Sequence, residues 1–140
     1  MYRLTEEVVF PYGHRLLGHP GGCGRLHGHN GRAQVVLAAE ALDDRGFVVD
    51  FDDLSAALRD LVAERFDHRL LLQRDDPVVP HLRAAGEDFV LLDDPPTAEV
   101  IARELHAGLR ARGFPVVEVR LWETPTACAT FTGASEPRDA

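Results

Sequence analysis

The chain has 140 residues, 45% of them hydrophobic, which is enough to bury the core of one domain without covalent staples. Its 15 basic and 23 acidic residues leave a formal charge of −8, which argues against broad attraction to nucleic acid or to an anionic membrane. Every basic residue counted there is arginine, so chemistry that needs a lysine amine, such as Schiff-base catalysis, is excluded and any carbonyl chemistry must use a metal, a thiol or acid and base groups.

The first strand signal is Leu4 to Phe10, expected to end at Pro11 and Gly13. A glycine- and proline-containing loop, Gly18 to Gly24, leads into a second strand over roughly 26 to 38, and Leu42 to Gly46 join it to a short apolar run, Phe47-Val48-Val49. Leu54, Ala57, Leu58, Leu61 and Val62 then follow helical spacing from Asp52 to about Arg65, with Asp50 or Asp52 as N-cap. Residues 69 to 96 hold scattered prolines and no sustained period, and read as mostly loop with a short helix near Val78 to Ala84. A second long helix follows Thr97, with Ala98, Ile101, Ala102, Leu105 and Leu109 on one face, and stops at Gly113. Strands return at 116–123 and 127–132. The order strand, strand, helix, helix, strand, strand predicts an α+β domain over 1–132: a four-stranded antiparallel sheet with two helices on one face. Residues 133–140 have the composition of a disordered tail. No run approaches the roughly 18 to 20 apolar residues of a membrane span, and Met1 to Glu7 is too charged for a signal-peptide core. The expected compartment is the cytoplasm, where Cys23 and Cys128 stay reduced.

The most informative segment is Cys23-Gly24-Arg25-Leu26-His27-Gly28-His29-Asn30. On an extended strand His27 and His29 share one face, about 6 to 7 Å apart, and that face continues through Gly31, Ala33, Val35 and Leu37. Two imidazoles on the buried row need partners, and a shared metal supplies them; satisfied core histidines are the alternative. His14, just after the first strand, is a third candidate ligand, and three histidines with no obvious fourth protein ligand describe an open zinc site. Cys23 reads as a thiolate base beside that metal or as a small packed side chain, and Cys128 as a small buried hydrophobe. Asp67-His68 is a candidate proton relay, or a pair at a helix end. Glu123 ends the row Val117, Val119, Leu121, and its carboxylate suits either an amidine-like ring edge, N–H beside N–H, or an arginine.

Phe10 to His14, Cys23-x-x-x-His27-Gly28-His29-Asn30, Val49-Asp50-Phe51, Asp67-His68, Pro96-Thr97-Ala98-Glu99 and Trp122-Glu123-Thr124 together resemble the 6-pyruvoyltetrahydropterin synthase and 6-carboxytetrahydropterin synthase family, in order and spacing, from about residue 3 to 132. The resemblance implies a tunnelling fold (T-fold) whose subunits join their sheets into a barrel, as a hexamer of two trimers with active sites between subunits. It implies zinc on His14, His27 and His29, Cys23 as catalytic base, and Asp67-His68 as a relay that either the same or a neighbouring subunit supplies. Glu123 would anchor a pterin and join the relay, with Thr97 and Glu99 lining its pocket. The implied substrate is the small molecule 7,8-dihydroneopterin triphosphate, with neither nucleic acid nor membrane as partner. The three residues between Cys23 and His27 resemble the bacterial carboxy branch, whose lyase releases acetaldehyde on the way to 7-deazapurines such as queuosine. The pyruvoyl branch, which eliminates triphosphate without cleaving the side chain, and a non-catalytic pterin- or purine-binding T-fold module are the alternatives. Tyr12-Gly13, Gly31, Leu72 and Val100 depart from the family pattern, and Tyr12 and Gly31 lie close enough in sequence to the expected metal to reshape the pocket.

Overall fold

The computed structural model describes residues 1–133, so most of the tail expected at 133–140 lies outside the described residues. The chain builds one mixed six-stranded sheet in the order β4-β3-β1-β2-β5-β6. Its strands are β1 (Tyr2–His14), β2 (His27–Ala39), β3 (Arg69–Gln73), β4 (Phe89–Leu92), β5 (Val116–Thr124) and β6 (Ala127–Phe131). Three α-helices accompany them: α1 (Phe51–Arg65), α2 (Val79–Ala84) and α3 (Ala98–Ala111). The four strands predicted from alternation form the antiparallel part, β1-β2-β5-β6.

Two strands exceed the expectation. β3 and β4 run parallel to each other, and β3 runs parallel to β1, so residues 69–96 form a small strand-helix-strand unit where loop was expected. Leu71 and Leu72 are both fully buried although they point to opposite faces, so β3 reads as an unbroken apolar run without alternation. The short apolar run Phe47-Val48-Val49 follows a turn closed by Asp43, whose carboxylate accepts from the Arg45 and Phe47 amides.

β1 continues through Pro11 instead of ending there. A strand residue points its amide and carbonyl to the same side, and the Pro11 carbonyl accepts from the His68 amide at 2.8 Å, away from β2. The missing N–H therefore costs the β1–β2 ladder nothing.

One face of the sheet carries the core. Phe10, Ala33, Val35, Leu37, Val119 and Leu121 point from the strands toward Leu54, Leu58, Ile101, Leu105 and Leu109 of α1 and α3, all buried. A Cβ on Gly108 would lie 2.7 Å from Leu61, so glycine permits the close approach of α3 to α1. Asp50 caps α1 by accepting from the Asp52 amide, and Thr97 caps α3 by accepting from Val100. At the far end of β5 a register shift opposite Val36 and Leu37 sets Val116 in the core, so Val117 does not extend the Glu123 row as simple parity predicts. Among the described residues no helix is long and apolar enough to cross a membrane.

Just past His14, the Arg15 guanidinium grips the Asp76 carboxylate with two hydrogen bonds, one of them 2.7 Å, and Asp76 also accepts from the Val78 amide. Asp76 is 2% exposed, so this pair ties the end of β1 to the turn before α2. Arg15 holds the Asp76 carboxyl below the usual carboxylate range. A carboxyl so shifted stabilises the fold above its unfolded pKa, and that contribution disappears as pH falls through the folded value. Asp76→Asn should therefore cost about 2–3 kcal/mol at pH 7. The deficit relative to wild type should begin to shrink below about pH 4 and close only once pH falls below the folded value, as denaturant titrations over a pH series will show.

Candidate active site

The β1–β2 ladder pairs His14 with His27 and Tyr12 with His29, placing the three histidines on the helix-facing side at one end of the sheet. Their ring centroids lie 4.6 to 5.0 Å apart, and one nitrogen from each lies within 4.8 Å of the others. His14 is 2% exposed; its Nδ1 lies 2.7 Å from the Pro96 carbonyl, and the Nδ1 of His27 lies 2.6 Å from the Arg25 carbonyl. A carbonyl only accepts, so each Nδ1 carries the proton and each Nε2 keeps its lone pair. Burial pushes the His14 pKa down, which favours the neutral, ligating imidazole.

The Nε2 atoms of His14 and His29 stand 3.1 Å apart. Two nitrogens bound tetrahedrally to one zinc at about 2.0–2.1 Å would be roughly 3.3 Å apart. The donor set and its spacing thus fit zinc, and the carbonyls on Nδ1 are the outer partners that orient such ligands.

Glu123 reaches the same point from β5. Its Oε1 is 3.8 Å from His14 Nε2, its Oε2 is 3.9 Å from His29 Nε2, and the Tyr12 hydroxyl donates to Oε1 at 3.3 Å. Burial, followed by the Glu123 charge, raises the Tyr12 pKa, so the phenol remains a donor. Glu123 also lines a pocket of about 330 Å³ with Leu16, Thr97, Glu99 and Cys128. Thr97 accepts the Val100 amide, leaving its hydroxyl proton free to be donated.

A larger cleft, about 730 Å³, is lined by Tyr12, His27, His29, His68, Arg69 and Asp88. Within this single chain, then, His68 and two of the three clustered histidines share one opening. His68 has a φ of 55°, a left-handed conformation uncommon outside glycine, and its amide is held by Pro11. Its Nδ1 donates to Asp67 at 2.8 Å, which leaves Nε2 to take or release a proton.

Cys23 is exposed, in the short 3₁₀ turn Gly22–Gly24, and is not among the groups that gather at the triad. The loop carrying it is folded back by the Leu16 amide, which donates to the Cys23 carbonyl at 2.7 Å. Leu16 in turn lines the pocket of Thr97, Glu99 and Glu123. Cys128 is exposed on the edge strand β6, not buried as expected, because its ladder position opposite Trp122 turns it away from the core. Sequence reading missed the hydrogen bond from Tyr12 to Glu123 and the Pro96 carbonyl. Pro95-Pro96 before a helix cap was the only signal for the latter.

The family model described as 6-pyruvoyl tetrahydropterin synthase matches residues 3–134. The chain belongs to that family. Its curled mixed sheet backed by helices is the T-fold of this family. A Rickettsia bellii protein named 6-carboxy-5,6,7,8-tetrahydropterin synthase is 33% identical over 132 residues, covering 89% of this chain and 96% of its own. A Halobacterium salinarum protein, named a probable 6-carboxy-5,6,7,8-tetrahydropterin synthase, is 41% identical over 123 residues, covering 84% and 77%. The crystal structure of an uncharacterized Wolinella succinogenes protein superimposes with a TM-score of 0.81 at 29% identity, covering 95% of this chain and 98% of that one. Among the departures from the family pattern, Tyr12 and Gly31 are structurally coupled: a Cβ on Gly31 would meet the Tyr12 ring at 2.8 Å.

Proposed function

We propose that the chain is a zinc-dependent 6-carboxytetrahydropterin synthase, a lyase that converts 7,8-dihydroneopterin triphosphate and one water to 6-carboxytetrahydropterin, acetaldehyde and triphosphate. The observation that carries this reading is the convergence of His14, His27 and His29 on one point, with the Glu123 carboxylate 3.8 Å from His14. The names of relatives similar over nearly the whole chain support the carboxy branch.

In this reading His14, His27 and His29 hold zinc, which when bound supplies Lewis-acid polarisation of side-chain oxygens on the substrate. Cys23, on the loop whose Leu16 lines the same pocket, is the base that removes a carbon-bound proton from the substrate side chain. The His68 imidazole, oriented by Asp67, passes protons between the reacting carbons and solvent. Glu123 accepts the paired N–H donors of the pterin ring, and Thr97 and Glu99 line the same pocket. Oxidation of the side chain is coupled to reduction of the ring, so no external reductant is needed. The unit is a single T-fold domain over 1–132 that acts in the cytoplasm as a homo-oligomer, a dimer of trimers, and supplies 7-deazapurine synthesis such as that of queuosine.

The deciding experiment incubates zinc-loaded protein with dihydroneopterin triphosphate and identifies products by mass spectrometry. Equal amounts of 6-carboxytetrahydropterin and acetaldehyde are expected. A 6-pyruvoyl product would move the chain to the other branch, and unchanged substrate would sink the assignment.

A further inference from the structure

Glu123 stands in an ambiguous place. Its two carboxylate oxygens lie 3.8 and 3.9 Å from nitrogens of His14 and His29, and the same side chain lines the pocket that holds Thr97 and Glu99. A carboxylate is a good ligand for zinc, so an ion held by the histidines would attract Glu123 as a fourth protein ligand. That would close the open position and withdraw the carboxylate from the pocket.

The Tyr12 hydroxyl opposes this movement. It donates to Oε1 at 3.3 Å, from a side chain that is 3% exposed. The ring has little freedom to follow the carboxylate, since it packs against His14 and His29 at centroid distances of 5.3 and 5.6 Å. On its remaining side it lies over Gly31, where a Cβ would sit 2.8 and 3.2 Å from two ring carbons. Tyr12 therefore needs glycine at position 31, and the two together present a fixed donor to Glu123.

We propose that Tyr12 is a positioning residue: its hydroxyl holds Glu123 off the metal, keeping one coordination position open and the carboxylate turned toward the substrate pocket. This rests on the zinc and pterin reading above. It assigns Gly31 the role of making room for the ring.

Tyr12→Phe keeps the ring and removes only the donor. Cobalt substituted for zinc reports coordination number through its visible absorption, with no substrate present. Tyr12→Phe is expected to shift the bands of that absorption as the carboxylate replaces solvent on the ion, and Gly31→Ala should do the same by displacing the ring. In the zinc enzyme, KM for dihydroneopterin triphosphate should rise about tenfold, with a smaller change in kcat. In a Glu123→Gln background Tyr12→Phe should change neither reading. A cobalt shift in a protein that does not turn over this substrate would support the positioning role while removing the substrate assignment. Unchanged cobalt absorption and KM in an active Tyr12→Phe enzyme would overturn the proposal, and so would a chain that takes up no cobalt.

Discussion

Cys23→Ala is expected to lower kcat by roughly 10²- to 10⁴-fold, the span a positioned proton-transfer group contributes, while zinc content stays at the wild-type level. Cys23 is exposed and lies outside the histidine cluster, so its removal takes away no core packing and no ligand. The loop conformation is set by other features. The Leu16 amide bonds to the Cys23 backbone, and a Cβ on Gly24 would collide with the His19 carbonyl, so the turn depends on glycine there and not on the thiol. A fall in kcat with an unchanged melting curve and full metal content would thus isolate a chemical role. Retention of wild-type turnover would remove Cys23 as the base and require another group to take the proton.

The second large effect concerns His14. His14→Ala should abolish stoichiometric zinc binding and with it activity. It should also destabilise the metal-free protein by about 2–3 kcal/mol, because the buried ring leaves a cavity and the Pro96 carbonyl loses its donor. His27→Ala should lose zinc equally yet cost the metal-free fold much less, since His27 is only partly buried and its carbonyl partner, Arg25, is exposed. Elemental analysis and thermal melts in chelator distinguish the two, because a bound ion would itself stabilise wild type by mass action. Full zinc retention in His14→Ala would show that the triad is not the metal site.

Much of this was readable along the chain because it depends on local spacing. Period-two alternation set His27 and His29 on the core row, and the ladder confirms that face. The helices were legible from their apolar stripe and from the caps Asp50 and Thr97, both of which accept a backbone amide. The parts that were misread lack such a local signal. β3 is buried on both faces and shows no alternation, Pro11 is tolerated only because its amide side faces away from β2, and Cys128 is exposed because its position opposite Trp122 turns it away from the core.

The −8 charge argues against a broad polyanion-binding surface, and the structure sharpens what that means for a triphosphate. Of the arginines near the motif, Arg15 is committed to Asp76, while Arg32 pairs with Glu7 and lies over Trp122 at 3.9 Å. Sequence proximity to the histidines therefore says little about phosphate contacts.

The sequence by itself determined the chemistry on offer: no lysine amine, a His-x-His pair on one strand face, a third histidine, a thiol and an acid at the end of a core row. Residue type and backbone period decide these, and both are local. Only the tertiary structure decided that Glu123 meets the histidines, that Pro96 sets the His14 tautomer, and that Tyr12 fits over Gly31 to hold Glu123. Each of those contacts joins segments far apart in the chain, 111 residues apart for Tyr12 and Glu123, and depends on strand register and packing that no local pattern encodes.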